Sequence, residues 1–340
     1  MREPFKLADA AIIAALQTHY GLAITALTFL PLGADSATAV YSVDALAGAK
    51  YFLKVRTGAG FSVPSLAVPR YLHAQGVSHL VAPLPTLAGA LWVSVDGFAL
   101  SLYPFIDGRI GAQVGLSDEH WRALGAMLKL VHASPLTYEL LQIVPREPFI
   151  PTRRSVIEDL ETALNRPDLT DPLQRELAAF WHSRRDEIRT LVARADRLGR
   201  QLRDASPPLP MVLCHADLHP WNVLLDSAGP LWVVDWDETM LAPKERDLMF
   251  VVGGIGGDGV GPHTTACFMQ GYGDAPIDPR ALTYYRYAWA VQDMAAWGEQ
   301  VLFMPDLGEA SRRDGVHGFI GQFGPGNIVE LALAFDGTTI

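Results

Sequence analysis

Three polar side chains with chemical potential occur within a short stretch of the chain: Asp217, Asn222 and Asp235. Carboxylate and amide oxygens are the hard ligands that Mg²⁺ takes in proteins. A carboxylate beside such a metal can accept the proton of an attacking hydroxyl. Oxygen ligands for magnesium and one carboxylate base are the parts that phosphoryl transfer requires. The stretch therefore predicts this chemistry, with Asp217 as the base and Asn222 and Asp235 as the metal ligands.

The local pattern predicts how Asn222 and Asp235 would meet. Apolar runs at 223–225 and 231–234 flank the turn residues 226–230, which indicates a β-hairpin. If the hairpin turns near Ala228, position 222 faces position 235, and opposed residues have their Cβ atoms roughly 4.5–5.5 Å apart. The two side chains are therefore expected at the open end of the hairpin, with Asp217 five residues before Asn222 on the same loop.

A second group of residues, nearer the N-terminus, is predicted to hold ATP. Lys54 lies within the apolar strand sequence Tyr-Phe-Leu-Lys-Val, where a lysine reaches either solvent or a ligand. Together with the later loop, this position favours contact with the α- and β-phosphates. Ser36 lies in the loop 31–38 and would add its hydroxyl and backbone N–H donors. Tyr103 and Phe105, within 102–108, would present backbone groups to adenine.

The elements that must position these residues change in type along the chain. A helix is predicted from about Asp9 to Gly21, and one from about Ser65 to Ala74 lies among the strands. Ser117 is predicted to cap one helix, Asp171 with Pro172 to begin another, and the later part is mainly helical. This predicts an α+β fold with a β-rich lobe at 1–104, a mainly helical lobe at 105–340 and the active site between them. The predicted N-terminal strands are 25–30, 38–43, 51–55, 91–95 and 98–103, with Asp96-Gly97 as a hairpin turn between the last two.

The composition excludes several other classes of protein. Of the 340 residues, 49% are hydrophobic and 19% are charged, which is typical of a globular chain. The net charge of −10 argues against nucleic acid or an anionic membrane as the main partner and suits a small cationic substrate. Two cysteines are too few for a disulfide framework, and neither a signal peptide nor a long apolar run is evident. These features predict a cytoplasmic protein.

The motif His-Ala-Asp217-Leu-His-Pro-Trp-Asn222 has the Asp-x₄-Asn spacing of a kinase catalytic loop. With Val-Val-Asp235-Trp-Asp it resembles the aminoglycoside phosphotransferase family. The resemblance covers roughly residues 5–335 and implies a two-lobed, protein-kinase-like fold and ATP-dependent phosphorylation of a hydroxyl, with spectinomycin or a related aminocyclitol as the favoured substrate. The segments that most resemble the spectinomycin phosphotransferase branch are 235–250, 29–35 and 102–106.

One departure from the family pattern concerns Lys54. Kinase-like folds pair the strand lysine with a glutamate on the following helix. No glutamate occurs here between Glu3 and Glu119, and the sequence Val-Pro-Ser fills 63–65, where the branch would offer one. Lys54 is therefore expected either to lack this partner or to take an acid from elsewhere in the chain. A nucleotide-binding protein without turnover is one alternative that follows.

The remaining polar residues allow more than one interpretation. Asp237 and Glu238 follow the metal carboxylate and are predicted to contact the amines of a cationic substrate, the alternative being a solvated acidic turn. The match of 254–259 to G-x-G-x-x-G lacks a preceding strand and indicates an inter-helix loop. A kinase for choline, homoserine or a sugar would use the same chemistry and stays open. A zinc or two-metal hydrolase would use His215, Asp217, His219 and Asp235, but Asn222 and Lys54 would then have no role.

Overall fold

The computed structural model describes residues 4–32, 37–58, 61–252, 254–255, 257, 259–304 and 307–334. The strands in these ranges are β1 (Ile24–Leu30), β2 (Thr38–Ala45), β3 (Lys50–Arg56), β4 (Val93–Val95), β5 (Phe98–Pro104), β6 (Gly108–Ile110), β7 (Val212–Cys214), β8 (Val223–Asp226), β9 (Leu231–Val233) and β10 (Met240–Ala242). The helices are α1 (Asp9–Tyr20), α2 (Pro64–Ala74), α3 (Gly111–Val114), α4 (Asp118–Ala133), α5 (Tyr138–Ile143), α6 (Arg154–Leu164), α7 (Pro172–Arg203), α8 (Glu245–Leu248), α9 (Pro262–Tyr272), α10 (Pro279–Leu302), α11 (Glu309–Gly321) and α12 (Ile328–Ala334). The predicted change from a β-rich to a helical part is confirmed.

The chain forms two compact units. Unit 1 comprises Met1–Pro145, His215–Thr239 and Cys267–Gly273, and unit 2 comprises Arg146–Cys214, Met240–Ala266 and Asp274–Ile340. Every predicted site residue that the structure describes belongs to unit 1. The division into functional lobes at 104/105 stays a prediction, since it concerns which part binds nucleotide.

The N-terminal part of unit 1 is a five-stranded antiparallel sheet with strand order β1-β2-β3-β5-β4. Val95 pairs with Phe98 across a two-residue turn in which Asp96 and Gly97 both have positive φ, as the predicted hairpin requires. The predicted fourth strand is shorter than expected and begins at Val93.

The two faces of β3 have different roles because its side chains alternate. Leu53 and Val55 are fully buried and pack with Ile12 and Leu16 of α1 in one apolar core. Burial of each such side chain contributes about 2 kcal/mol. The opposite face carries Phe52, Lys54 and Arg56, so two cationic side chains lie next to each other on it. The sheet therefore holds Lys54 and Arg56 on the face opposite this packed core.

The rest of unit 1 contains a second, three-stranded sheet of order β6-β8-β9, and its β8–β9 hairpin lies in the chain between Asn222 and Asp235. Helix α4 begins as predicted at Ser117, whose hydroxyl accepts a hydrogen bond from His120 N while His120 Nδ1 accepts one from Ser117 N. His120 Nε2 also lies 3.0 Å from the carbonyl oxygen of Gly229 in the β8–β9 turn. The helix is thereby tied to the hairpin.

Unit 2 is mainly helical, with α6, α7, α10, α11 and α12 around one apolar core. The long helix α7 begins as predicted: Asp171 accepts hydrogen bonds from the backbone N–H groups of Leu173 and Gln174, and Pro172 takes the first helical position. Arg312 of α11 lies 2.8 Å from the second oxygen of Asp171. None of the helices in the described ranges is both long and apolar enough to cross a membrane.

Candidate active site

The loop that carries Asp217 is anchored by His215, a fully buried residue directly after β7. Its Nδ1 accepts a hydrogen bond from Asp217 N at 3.3 Å, so the ring proton resides on Nε2, which lies 3.0 Å from the carbonyl oxygen of Val234. The intervening Ala216 has φ of 69°, which turns the chain sharply. His215 therefore joins the Asp217 loop to the end of the β8–β9 hairpin. With both ring nitrogens engaged, it does not fit the alternative role of a metal ligand.

Asp217 and Asn222 are brought into direct contact. Nδ2 of Asn222 lies 2.8 Å from Oδ2 of Asp217 and 2.8 Å from the backbone oxygen of the same residue. Oδ1 of Asp217 is buried and has no hydrogen-bond partner among the described residues. Nε2 of His219 lies 3.2 Å from this oxygen without forming a hydrogen bond. One carboxylate oxygen is thus fixed in place while the other is able to accept a proton.

The register of the β8–β9 hairpin is one residue different from the prediction. Val223 pairs with Val233, and Val234 N donates to the carbonyl oxygen of Asn222, so Asn222 faces Val234 and not Asp235. The reason is the turn: Asp226 Oδ1 accepts from Ala228 N, and Gly229 has φ of 108°. These contacts close a three-residue loop between Asp226 and Pro230, where the prediction required an even number of residues.

Asp235 follows the last paired residues and has φ of 67°, a left-handed conformation that aspartate tolerates better than most residues. Its Oδ1 lies 2.7 Å from Nζ of Lys54, so the backbone turn directs the carboxylate to the β3 lysine. The Lys54 ammonium holds the pKa of Asp235 well below its usual range, against the opposing effect of burial. Burial alone would lower the pKa of Lys54, but Asp235 and Asp237 outweigh it and raise that pKa.

A buried arginine that the sequence interpretation missed completes the group. Arg56, two residues after Lys54 on β3, is only 1% exposed, and its Nη2 lies 2.6 Å from Oδ1 of Asp237. The other oxygen of Asp237 lies 3.4 Å from Nζ of Lys54. The signal was present in the sequence, because residues 54 and 56 of one strand point to the same face and two cations there require acidic partners.

The other predicted ligand residues have varied surroundings. Tyr103 pairs with Phe52 and is buried with Leu66 and Val81 in an apolar cluster on the Lys54 face of the sheet. Phe105, just after β5, is half-buried under the Lys50 ammonium at 4.3 Å from the ring centroid. Their contact with adenine stays a prediction. Glu238 is exposed at the turn before β10, and Ser36 lies outside the described residues.

The residues near Asp235 fit a hard divalent cation. The amide of Asn222 donates through Nδ2 only, and no described residue donates to its Oδ1, which leaves a carbonyl-type oxygen for a metal. The carboxylate of Asp235 is partly exposed and supplies the second oxygen donor. A predominantly oxygen donor set suits Mg²⁺ better than zinc, which favours nitrogen and sulfur.

The described residues of the glycine-rich stretch 254–259 make no contact with this group. Gly256 and Asp258 lie outside the described residues, and the stretch falls between α8 and α9, without a strand before it. Its interpretation as an inter-helix loop agrees with these flanking elements.

Solved structures of small-molecule kinases are similar to this chain. Spectinomycin phosphotransferase APH(9)-Ia, solved in complex with ADP and spectinomycin, is 29% identical, with a TM-score of 0.87 over 98% of this chain and 100% of that chain. The AMP-bound complex of the same enzyme is 30% identical, with a TM-score of 0.82 over 96% and 98%. Amicoumacin kinase hAmiN, at 17% identity and a TM-score of 0.62 over 96% and 97%, shares the fold.

The fold and the family model together define a small-molecule phosphotransferase with an α+β, protein-kinase-like architecture. The model of the phosphotransferase enzyme family, APH, matches residues 27–285, and the chain belongs to that family. The resemblance stated from the sequence is thereby confirmed, as is the predicted fold class.

Proposed function

We propose that this protein transfers the γ-phosphoryl group of ATP to a hydroxyl of spectinomycin or a related aminocyclitol or aminoglycoside. The proposal rests on the hydrogen bonding of the Asp217 carboxylate. Its Oδ2 accepts a hydrogen bond from Asn222, and its Oδ1 has no hydrogen-bond partner among the described residues. Similarity to a spectinomycin phosphotransferase over nearly the full length of both chains supports the choice of substrate.

In the proposed reaction the substrate hydroxyl oxygen forms a bond to the γ-phosphorus of ATP. The bond from that phosphorus to the β,γ-bridging oxygen breaks, and ADP leaves with the electron pair. Asp217 orients the hydroxyl and accepts its proton on Oδ1, while Asn222 keeps the carboxylate from rotating away. The hydrogen bond to Oδ2 directs the proton to Oδ1, which has no hydrogen-bond partner among the described residues.

The cations of the site hold the nucleotide in this scheme. Lys54 steadies the α- and β-phosphates, and Asn222 and Asp235 hold Mg²⁺. When bound there, the metal would supply positive charge that neutralises the charge developing on the phosphate oxygens. The 2.7 Å contact between Lys54 Nζ and Asp235 Oδ1 holds both groups in place, which reduces the reorganisation that binding requires.

A cationic acceptor is supported by charge. The chain carries a net charge of −10, and Glu238 is an exposed residue close in sequence to Asp235. An overall negative charge and an acidic residue in this segment favour an amine-bearing substrate over a neutral one. The alternative of a nucleotide-binding protein without turnover is disfavoured, because Lys54 has two carboxylate partners despite the lack of a glutamate on α2.

The test is a substrate panel. The protein is incubated with Mg·ATP and spectinomycin, several aminoglycosides, choline or homoserine, and each compound is examined by mass spectrometry for one added phosphate. We expect a product with spectinomycin that is absent with Asp217→Ala. Phosphate on choline or homoserine alone would reject the antibiotic substrate and keep the reaction class. Nucleotide binding without any product would reject the proposed acceptors.

A further inference from the structure

The carboxylate of Asp237 lies between two cations of the same strand. Its Oδ1 is 2.6 Å from Nη2 of Arg56, and its Oδ2 is 3.4 Å from Nζ of Lys54. Both of its oxygens are therefore engaged by β3. This leaves the carboxylate poorly placed to receive the amine of a substrate, the role that the sequence suggested for it.

The side chain of Arg56 is buried and hydrogen-bonded, so it can hold Asp237 in place. The side chain is 1% exposed, and Nη1 lies 3.2 Å from the hydroxyl of Ser101 on the neighbouring strand β5. A buried guanidinium is stable only when it is paired and hydrogen-bonded, and Asp237 supplies the counter-charge. The two nitrogens thus fix Arg56 against the sheet and fix Asp237 against Arg56.

Lys54 needs a carboxylate partner that remains when the metal is bound. Helix α2 follows β3 but contains no acidic residue, so it cannot supply one. Asp235 is the shorter contact at 2.7 Å, but it is also the proposed ligand of Mg²⁺. A carboxylate bound to a divalent cation is a weaker partner for an ammonium, because the metal takes most of its negative charge. Asp237 carries no such second duty.

We propose that Asp237, anchored by Arg56, is a positioning residue that holds Lys54 toward the nucleotide phosphates in place of a helix glutamate. The inference rests on the proposed function, since it presumes that Lys54 contacts ATP. It replaces substrate contact as the role of Asp237 and leaves Glu238 as the candidate for that role.

The direction in which nucleotide affinity changes when the charge of Asp237 is removed distinguishes a positioning role from a purely electrostatic one. ATP is an anion, so removing a negative charge near its site should strengthen binding if Asp237 acts only through its charge. Loss of a positioning residue should instead weaken binding, because Lys54 is no longer directed to the phosphates. The asparagine variant is suited to this test, since it keeps the shape of the side chain and can still accept a hydrogen bond from Arg56.

The experiment measures binding of Mg·AMP-PNP by isothermal titration calorimetry to the wild type, Asp237→Asn and Asp96→Asn. Asp96 is an exposed aspartate in the β4–β5 turn, and its variant removes the same charge from a turn of the sheet that carries Lys54. We expect binding about tenfold weaker for Asp237→Asn, which is the usual loss when a group that orients a ligand-binding residue is removed. We expect no change for Asp96→Asn. Thermal melting confirms that each variant is folded.

A second variant tests the anchor. Arg56→Lys keeps the charge, but its single nitrogen cannot contact both Asp237 and Ser101, so we expect a smaller loss of nucleotide affinity in the same direction. In turnover, Asp237→Asn should raise KM for ATP and leave KM for the acceptor unchanged, a split that general loss of stability would not produce. Asp237→Asn with unchanged or tighter nucleotide binding, or with a raised acceptor KM alone, would overturn the inference. A wild type that does not bind Mg·AMP-PNP would overturn the proposed function itself.

Discussion

Nδ2 of Asn222 lies 2.8 Å from both Oδ2 and the backbone oxygen of Asp217, so the amide nitrogen orients the proposed base and the amide oxygen is left for the proposed metal. These two duties can be separated by substitution. Asn222→Asp keeps an oxygen ligand but loses the N–H donor, whereas Asn222→Ala loses both.

We expect Asn222→Asp to lower kcat while the magnesium concentration for half-maximal rate changes little. Asn222→Ala should lower kcat and also raise that magnesium concentration about tenfold or more, because a metal ligand is lost. Initial rates measured over a magnesium titration at saturating ATP distinguish the two variants. Identical magnesium curves for the two variants and the wild type would argue against Asn222 as a metal ligand.

Asp217→Asn should remove the proposed base without altering the shape of the loop. We expect kcat to fall by about 10² to 10⁴, the usual contribution of a general base. Nucleotide affinity should stay within a factor of about two, since no contact to ATP is assigned to this side chain. Single-turnover product formation and calorimetric binding report the two quantities separately. Full activity in the variant would show that another group takes the proton.

Lys54→Met should lower kcat/KM for ATP by about 10² or more, because a fixed cation near the phosphates is removed and Asp235 and Asp237 are left without it. Lys54→Arg provides the matched control, since it retains the charge in a larger, planar group. We expect its loss to be smaller but measurable. Steady-state kinetics at varied ATP give the comparison, and equal values for the methionine variant and the wild type would contradict it.

Helix α7 offers a test of stability that is independent of the active site. Burial would raise the pKa of Asp171, but hydrogen bonds from Arg312 and from backbone N–H groups outweigh it and lower the pKa from its ordinary value of 3.8. The carboxylate therefore contributes stability above that pH, which is lost as the pH falls through the lower folded value.

Asp171→Ala should accordingly lower the free energy of unfolding by about 1 kcal/mol at pH 7. The difference from the wild type should shrink as the pH falls below about 4, in the direction that linkage requires. Urea unfolding at a series of pH values measures both effects. Asp168→Ala, which removes an exposed carboxylate paired with Arg166 just before the helix, serves as a control of small effect.

The features that could be predicted from the sequence are those determined by neighbouring residues. The Asp96-Gly97 turn, the Ser117 cap of α4 and the Asp171 cap of α7 depend on side chains within a few positions of one another. Their chemistry does not depend on the rest of the fold, so the pattern was sufficient in each case.

The features that were wrong or missed depend on detail of a turn or on distant partners. The hairpin register followed the Asp226 side chain and the backbone of Gly229, an Asp-x-x-Gly signal that was interpreted only as a turn. Arg56 contacts Asp237, 181 residues later in the chain, so no local pattern indicates the pair. Alternation along β3 indicated only that Arg56 and Lys54 share a face.

The left-handed backbone at Asp235 has a consequence for how this position can vary. A φ of 67° costs roughly 1–2 kcal/mol for most side chains, and less for aspartate, asparagine and glycine. Asparagine and glycine lack the charge, whereas glutamate keeps the charge but lacks the tolerance. Aspartate alone meets both demands, so natural or laboratory variation at 235 faces a conformational barrier as well as a chemical one.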